Sequence, residues 1–249
     1  MTPVPIVAAR DAVVLAAGNG DRFHNGRRQS KLLEPLAGQP LILRTIETAA
    51  AAGITAFEIV VGYQAGAIRA AIERHVPPGV RVHFTYNPEW HLENGVSALA
   101  ARARVGDRRF ALLMGDHVFD ARVLDRLRVF PAAPGESVLA VDTRPVSPDV
   151  AREATRVLLA ADRITAIGKG LEPYDAIDTG LFVCAPALFD ALEEARRDGD
   201  TTLSGGIRRL AARGLMRAAD IGNAVWQDVD TLADLESAEA LLAALPEPV

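Results

Sequence analysis

The chain has 249 residues, of which 49% are hydrophobic, so it is long enough to form a substantial core. Its 27 basic and 32 acidic residues leave a net charge of −5, which excludes a broad basic surface for a nucleic-acid backbone. The single cysteine, Cys184 in the apolar run LFVCAP, excludes a disulfide within the chain and is typical of a core thiol.

The N-terminal residues do not match a secretory signal. They contain two prolines, lack a positively charged leading segment and have too short an apolar run. No stretch of the sequence approaches the roughly 20 uninterrupted apolar residues that a membrane span requires. We therefore expect a cytoplasmic protein.

Strand-like and helix-like segments alternate through the first half of the chain. The apolar run AVVLAA, residues 12–17, ends at a glycine and predicts a strand buried on both faces. Residues 40–53 have apolar side chains at helical spacing between a proline and a glycine, which predicts a helix. The pattern continues with strands over 57–63, 80–86 and 110–116, and with helices over 65–76, 95–105 and around Val123. This order predicts an α/β fold with a doubly wound, mostly parallel Rossmann-like sheet, whose ligands bind beyond the carboxyl ends of the strands.

The second half of the chain begins with a different pattern. Four strand-like segments follow one another without full-length helices between them, over 137–143, 154–160, 162–169 and 178–185. They predict a small β-rich insertion at the sheet edge, around residues 137–185. Two helices (186–197 and 204–213), a strand (216–221) and a last helix (232–245) complete the prediction. Because no linker or repeat interrupts the chain, we expect a single domain over residues 11–245.

A glycine-rich turn, in the segment LAAGNGDRF, follows the first strand. Glycines let the backbone turn and direct consecutive N–H groups outward, which favours a bound phosphate. A dinucleotide-binding turn would need a small residue where Phe23 stands, and a P-loop would need a closing Gly-Lys-Ser/Thr. A nucleotidyltransferase loop fits better, since Arg22 and Lys31 are placed to reach the oxygens of a triphosphate.

This segment, together with SKLLEPLAGQPLI, resembles the nucleoside triphosphate transferase family, which includes the sugar-1-phosphate nucleotidyltransferases. Four later motifs occur in the family's order: YNPEWHLENGVSALAARA, MGDHVFD, ITAIGKGLEPYDAIDTGLFV and WQDVDT. They are similar to the branch that transfers CMP from CTP to inositol 1-phosphate, and the likeness extends over residues 11–242. The resemblance implies a nucleotide-diphospho-sugar transferase type of fold, in which the insertion around residues 137–185 binds the acceptor.

Two acidic positions are candidates for a metal site. Transfer from a triphosphate uses a divalent ion, and Mg²⁺ is usually held by one or two carboxylates together with phosphate oxygens and water. Asp116 ends the strand FALLMGD behind a glycine, and Asp228 and Asp230 lie two residues apart, so that both can share one face of a strand. We expect Mg²⁺ at Asp116 and Asp230, the position that the resemblance favours, with Asp228 as the alternative. Helix capping is the competing interpretation of Asp116 and Asp230.

The resemblance also implies the substrate contacts. It places Arg22, Lys31, Asp116 and Lys169 in catalysis, with Lys169 on the acceptor phosphate. Asp178 and Thr179 are expected to bind acceptor hydroxyls, because carboxylates are strong hydrogen-bond acceptors. The nucleotide-binding residues are expected to be Ala17, Gly18, Asn19, Gly20, Asp21, Asn94, Gly95 and Ser97.

Each of these roles has a competing structural interpretation. Asn94 can cap a helix, Asp178 can form a turn, and Lys169 can be a solvated surface lysine. His117 follows Asp116 and is placed for general-base catalysis, but an ionised acceptor phosphate needs no base.

We therefore expect a Mg²⁺-dependent cytidylyltransferase that forms CDP-inositol and pyrophosphate from CTP and inositol 1-phosphate, with no nucleic-acid or membrane partner. The chain ends at Val249 without the membrane-embedded phosphotransferase domain that often accompanies such enzymes, so it resembles the stand-alone form. Other acceptors stay open, among them a sugar 1-phosphate, phosphocholine or a phosphonate. A non-catalytic nucleotide sensor is the alternative from another class.

Overall fold

The computed structural model describes residues 8–20, 23 and 29–244. Within these ranges the chain forms thirteen strands: β1 (Asp11–Ala16), β2 (Pro35–Leu36), β3 (Gln39–Pro40), β4 (Ala56–Val61), β5 (Arg81–Tyr86), β6 (Phe110–Met114), β7 (His117–Phe119), β8 (Ser137–Asp142), β9 (Thr155–Ala160), β10 (Arg163–Lys169), β11 (Ala176–Cys184), β12 (Met216–Asp220) and β13 (Trp226–Asp228).

The described residues also form nine α-helices, and a 3₁₀ turn lies at Lys31–Leu33. The helices are α1 (Leu41–Ala51), α2 (Ala65–His75), α3 (Asn94–Ala100), α4 (Arg102–Val105), α5 (Ala121–Arg128), α6 (Pro148–Glu153), α7 (Ala187–Arg197), α8 (Leu203–Ala212) and α9 (Leu232–Ala244). Most predicted elements are present within a few residues of their expected bounds. The helix expected over 95–105 is divided into α3 and α4.

Nine strands form one sheet in the order β5-β4-β1-β6-β11-β8-β12-β10-β9. Strands β5, β4, β1 and β6 are parallel, but β11 is antiparallel to both β6 and β8, and β10 is antiparallel to both β12 and β9. The α/β Rossmann-like class is confirmed. The sheet is parallel in its first half and mixed in its second, where β12 is parallel to β8 and the other pairs are antiparallel. Strands β9 and β10 are joined by residues 161–162, which is too short for the crossover of a dozen or more residues that a parallel pair needs.

The β-rich segment around residues 137–185 is part of this main sheet. Strands β8 and β11 lie inside it, and the hairpin formed by β9 and β10 occupies its edge. Strand β9 also pairs with the start of β11. The expectation of an insertion confined to the edge therefore applies to the hairpin alone.

The sheet separates two hydrophobic layers. Along β1, Val14 faces a cluster that includes Ile46 of α1, while Leu15 faces a second cluster that includes Phe189 of α7. The first layer holds α1, α2 and α5, and the second holds α3, α7 and α8. Alternate side chains of β1 are thus buried on opposite faces, as the apolar run predicts.

A smaller apolar cluster attaches the C-terminal segment to the rest of the fold. Val229, after β13, packs with Leu36, Val118 and Ala238 of α9. Strand β13 pairs antiparallel with β7, and the N–H of Val229 donates to the carbonyl of Asp116 at 3.1 Å. This packing brings the residues before α9 to the carboxyl end of β6, about a hundred positions earlier in the chain.

Candidate active site

A cleft of about 1270 Å³ opens beyond the carboxyl ends of β1 and β6. It brings together most of the site residues predicted from the sequence: Ala17, Gly18, Asn19, Asn94, Ser97, Asp116, Lys169, Asp178, Asp228 and Asp230. Gly20, Lys31, Gly95 and Thr179 are not among the residues that line it. Asp21 and Arg22 lie outside the described residues, so their expected phosphate contacts stay predictions.

Asp116 and Asp230, which line the cleft, form an ion cluster with the buried Lys31. The Nζ atom of Lys31 lies 2.7 Å from Oδ2 of Asp116 and 2.7 Å from Oδ1 of Asp230. The side chains are only 11%, 23% and 23% exposed, respectively, so solvent screens these contacts weakly. Residues 116 and 230, far apart in sequence, thus share one cation.

Both members of the Lys31–Asp116 pair are held in their charged forms. Burial acts to raise the pKa of Asp116, but Lys31 and a hydrogen bond from His117 outweigh it and hold this pKa far below its usual range. Burial acts in the opposite direction on Lys31, and the two carboxylates raise the pKa of its ammonium group. At neutral pH the Lys31 ammonium group and the Asp116 carboxylate are therefore both charged.

Other residues cap the nearby helices. The side chain of Asp120 accepts the N–H of Arg122 at the start of α5, which leaves Asp116 for the cluster. Thr231 and Asp234 form a reciprocal capping box at the start of α9, with Oδ2 of Asp234 2.7 Å from the N–H of Thr231. The capping interpretation of Asp116 and Asp230 is thus replaced by contact with Lys31.

Asp228 occupies a different part of the cleft from Asp230. It pairs in register with His117 across β13 and β7, and it makes no ion pair with Lys31. Burial raises the pKa of Asp228, and repulsion from Asp230 and Asp116 adds to the rise, while the charge of His117 opposes it. Asp230 is therefore the carboxylate that shares a cation with Asp116.

His117 links these carboxylates. Its Nδ1 lies 2.8 Å from Oδ1 of Asp116, and its ring stacks near Trp226 with 6.2 Å between centroids. Burial opposes the charged ring, but the hydrogen bond to Asp116 and the charges of Asp116 and Asp228 raise the pKa of His117 above its usual value. His117 was expected only as a candidate base, although its position next to a strand-ending aspartate is the sequence signal for a partner of that carboxylate.

Of the residues predicted to bind the acceptor, two line the cleft and one lies in the core. Asp178 lines the cleft, and its Oδ1 accepts the N–H of Gly180 at 2.8 Å, so turn formation and cleft exposure coexist. Thr179 is fully buried and donates to the carbonyl of Ala140 at 2.8 Å, so the expected acceptor contact is corrected: Thr179 is a core residue. Lys169 is exposed, lines the cleft and makes no ion pair with the described residues.

Of the glycines predicted to bind the nucleotide, one borders open space and two are closely packed. A Cβ atom at Gly18 would meet open space, which leaves room for a ligand, whereas one at Gly20 would lie 3.1 Å from the Lys31 stem. Gly95 packs against the carbonyl of Thr201, 2.6 Å from where its Cβ would lie. Gly20 and Gly95 therefore serve close packing behind the cleft.

The side chains expected to read the base already have protein partners. Oδ1 of Asn94 accepts the N–H of Leu203 at the start of α8, so Asn94 supports a neighbouring helix rather than its own. Oγ of Ser97 accepts from Nδ2 of Asn87. Both residues line the cleft, so their roles toward a nucleotide stay predictions.

Trp90 is a cleft residue that the sequence reasoning did not single out. Its ring lies 5.5 Å from that of Tyr63, and its Cβ would be 2.3 Å from a Cβ at Gly62, which stands beside the carbonyl of Ala17. The amino-acid composition could have drawn attention to Trp90, because the chain has only two tryptophans and both line the cleft. Only two of the 27 basic residues are lysines, and both lie at the site: Lys169 lines the cleft, and Lys31 contacts Asp116 and Asp230 of its wall.

The environment of Asp178 leads to a pH prediction. Burial raises its pKa to about 6, opposed by the N–H of Gly180 and the charge of His117. Because this value exceeds the ordinary one near 4, the folded protein retains a proton at pH 4–6 that the unfolded chain has released. The stability contributed by this group is therefore present at low pH and lost as the pH rises through about 6.

Replacing Asp178 by Asn is expected to raise the free energy of unfolding at pH 8 by on the order of 1 kcal/mol, with little change at pH 4. Urea unfolding at the two pH values measures the difference. Asp107→Asn, in an exposed turn, is the matched control and should change neither value. Equal destabilisation of Asp178→Asn at both pH values would contradict the assignment.

The mixed α/β sheet, with a charged cleft where the glycine turn of β1 meets the carboxyl end of β6, defines a nucleotide-binding protein of the nucleotidyltransferase class. The chain belongs to the MobA-like NTP transferase domain family, whose model matches residues 12–218. The resemblance inferred from the sequence motifs is thereby confirmed.

Two relatives and one solved structure are similar to this chain over most of its length. The chain is 37% identical, over 93% of its length, to the bifunctional IPC transferase and DIPP synthase of Rubrobacter xylanophilus, and it spans about half the length (51%) of that relative. It is 33% identical, over 92% of its length, to the CMP-5'-(3-aminopropyl)phosphonate synthase of Streptomyces rubellomurinus, of which it covers 38%. The solved structure of the inositol-1-phosphate CTP transferase from T. maritima superposes with a TM-score of 0.85 at 25% identity, and the match covers 98% of both chains.

None of the described helices is long and apolar enough to cross a membrane.

Proposed function

We propose that this protein transfers CMP from CTP to a phosphorylated small acceptor, with inositol 1-phosphate as the preferred acceptor and CDP-inositol and pyrophosphate as products. The observation that carries the proposal is the sharing of Lys31 by Asp116 and Asp230 beside the glycine turn, in one cleft with Lys169 and Asp178. The relatives named above support the choice of nucleotide and acceptor. A nucleoside triphosphate substrate accords with the expected cytoplasmic location.

The carboxylate pair fits a divalent cation. Asp116 and Asp230 each have an oxygen 2.7 Å from Nζ of Lys31, so the two carboxylates are close enough to hold one divalent ion next to that ammonium group, and hard carboxylate oxygens are the ligands that Mg²⁺ prefers. No group of three or more His, Cys, Asp or Glu within the described ranges is arranged to hold a metal by itself. Mg²⁺ held by Asp116 and Asp230 would supply positive charge that stabilises the α-phosphate during transfer.

The chain's own residues then serve to bind and orient. The backbone at Gly18 and Asn19 receives the phosphates, and Lys31 supplies a positive charge next to them. Lys169 holds the acceptor phosphate, and Asp178 accepts a hydrogen bond from an acceptor hydroxyl. An acceptor phosphate oxygen attacks the α-phosphorus in line, the bond to the β-phosphate oxygen breaks, and pyrophosphate leaves.

The test measures pyrophosphate release with each of four nucleoside triphosphates against a set of phosphorylated acceptors. We expect release to be fastest with CTP and inositol 1-phosphate, and to stop when a chelator is present. CTP binding is followed separately through the fluorescence of the two tryptophans, since both line the cleft. Binding without release for every acceptor would favour a nucleotide sensor instead.

A phosphonate is the second candidate acceptor. The phosphonate synthase relative matches 92% of this chain, and several carboxylates in the cleft, including Asp178, Asp228 and Glu153, suit an acceptor that carries an amine. The acceptor set therefore includes 3-aminopropylphosphonate. A higher kcat/KM for this compound than for inositol 1-phosphate would replace the preferred acceptor while retaining the reaction.

Lys169→Met is expected to raise KM for the acceptor by on the order of tenfold or more, since a charge-assisted contact to phosphate is lost. KM for CTP should change little, because Lys169 lies on the acceptor side of the proposal. Lys169→Arg keeps the charge and serves as the control, with a smaller rise expected. Equal KM values for Lys169→Met and the wild type would assign Lys169 to the solvated surface.

A further inference from the structure

Strand β11 is interrupted by a bulge at the cleft. Asp178 pairs with Val141 and Phe182 pairs with Leu139, so a longer stretch of β11 faces a shorter stretch of β8. Gly180 lies inside this bulge with φ of +74°, a conformation that side chains disfavour. A helix cap or a hairpin turn does not account for this glycine, because the chain continues as a strand on both sides of it.

The space in front of Gly180 is filled by the ring of His117. A Cβ atom at position 180 would lie 2.5 Å from Nε2 and 2.7 Å from Cδ2 of that ring, closer than real Cβ contacts. Any side chain at this position would have to displace the imidazole. Gly180 is therefore required for two reasons: the backbone has a positive φ there, and the His117 ring occupies the space that a side chain would need.

The other edge of the ring contacts Asp116. Nδ1 of His117 is 2.8 Å from Oδ1 of Asp116, and because a carboxylate only accepts, Nδ1 must carry the hydrogen. Oδ2 of the same carboxylate faces Lys31 at 2.7 Å. Each oxygen of Asp116 thus has its own partner, and His117 determines the rotation of the carboxyl group.

We propose that His117 is a positioning residue for the transfer reaction, seated by the bulge at Gly180, and that it orients Asp116 by donating from Nδ1. The inference rests on the proposed function for its kinetic readout. Its role requires only the hydrogen bond and the fit of the ring, not proton transfer to or from a substrate.

Two glycine substitutions separate the fit of the ring from backbone strain. Gly180→Ala and Gly214→Ala both place a side chain at a positive φ, +74° and +69°, but a Cβ at Gly214 meets no atom within 4 Å and lies away from the cleft. Both variants should lose thermal stability through backbone strain, and Gly180→Ala should lose more because its Cβ also collides with the His117 ring. Only Gly180→Ala is expected to lower kcat, by about tenfold or more, since small displacements in such sites are costly.

Substitutions of His117 test the hydrogen bond itself. Asn carries a donor close to the position of Nδ1, so His117→Asn should retain kcat within several-fold, while His117→Ala loses on the order of 100-fold. The double variant Gly180→Ala with His117→Ala should be no slower than His117→Ala alone, because the collision has been removed. The same kcat for His117→Ala and the wild type, or for Gly180→Ala and Gly214→Ala, would overturn the proposal.

A readout without substrate distinguishes this proposal from the function it rests on. The chain has five histidines, and nitrogen-15 NMR of the ring resonances, assigned by loss of a signal in His117→Asn, should show a slowly exchanging Nδ1–H for His117. We expect this signal to shift in Gly180→Ala and to stay in place in Gly214→Ala. If the wild type releases no pyrophosphate with any substrate pair, the proposed function is wrong. The NMR experiment still tests the contact between His117 and Asp116, because it needs no substrate. Absence of the Nδ1–H signal in the wild type would refute that contact.

Discussion

Asp116→Asn is expected to reduce kcat for pyrophosphate release by on the order of 1000-fold, the scale seen when a group that stabilises transition-state charge is removed. The amide keeps the size of the side chain but loses the negative charge that faces Lys31 at 2.7 Å. It also loses one of the two carboxylates proposed to hold the divalent ion. Steady-state rates at saturating CTP, with the folded fraction of each variant checked by circular dichroism, measure the effect.

A matched control is available four residues away. Asp120 caps α5 through the N–H of Arg122 and is not part of the cleft wall, so Asp120→Asn tests loss of a carboxylate from the same segment. We expect Asp120→Asn to keep the helix cap, because Asn caps helices about as well as Asp, and therefore to change the stability little and to leave kcat close to the wild-type value. If Asp116→Asn lost stability and activity in proportion, as a purely structural substitution does, its catalytic assignment would be withdrawn.

Lys31→Met is expected to have the second large effect, on stability as well as on activity. Removing the ammonium group leaves Asp116 and Asp230 facing each other without the cation they share, and breaking a buried ion pair in this way costs on the order of 3 kcal/mol. The loss should be largest in chelator at neutral pH. Millimolar Mg²⁺ should reverse part of it, because a divalent ion between the two carboxylates replaces the missing charge.

The pH dependence of this variant has a definite sign. In the wild type Lys31 holds the pKa of Asp116 far below its ordinary value, so the stability from this carboxylate is present above the ordinary pKa near 4 and lost only in strong acid. Without Lys31, Asp116 takes up a proton more readily, and the deficit of Lys31→Met should shrink as the pH falls toward 5.

Lys169→Met removes the only other lysine, which is exposed, and should leave the melting temperature unchanged. Thermal unfolding of both variants with and without Mg²⁺ makes the comparison. A melting temperature of Lys31→Met in chelator equal to that of Lys169→Met would contradict the ion cluster.

The elements of this fold were predictable because burial leaves a periodic trace in the sequence. The continuous apolar run at residues 12–17 indicated a strand covered on both faces, and β1 is packed between two hydrophobic layers. Strand direction left no such trace. Val183 of β11 and Leu113 of β6 are equally buried, and nothing in an apolar run distinguishes a parallel neighbour from an antiparallel one.

The candidate site was predictable in its residue types and less so in its geometry. Asp228 and Asp230 satisfied the same two-residue spacing, and the pairing of β13 with β7 placed Asp228 opposite His117 and Asp230 against Lys31. Asp178 and Thr179 were predicted together, yet one faces the cleft and the other the core, since neighbours on a strand point to opposite sides.

The sequence by itself determined the class of the fold, the glycine turn after β1 and the acidic and basic side chains available for phosphate chemistry, because these depend on local composition, periodicity and motif. Only the tertiary structure decided that Lys31 joins Asp116 to Asp230, that Thr231 rather than Asp230 caps α9, and that His117 occupies the space above Gly180. Those outcomes depend on strand pairing and side-chain packing between segments up to 199 positions apart, and contacts at such separation are set by the folded core rather than by neighbouring residues.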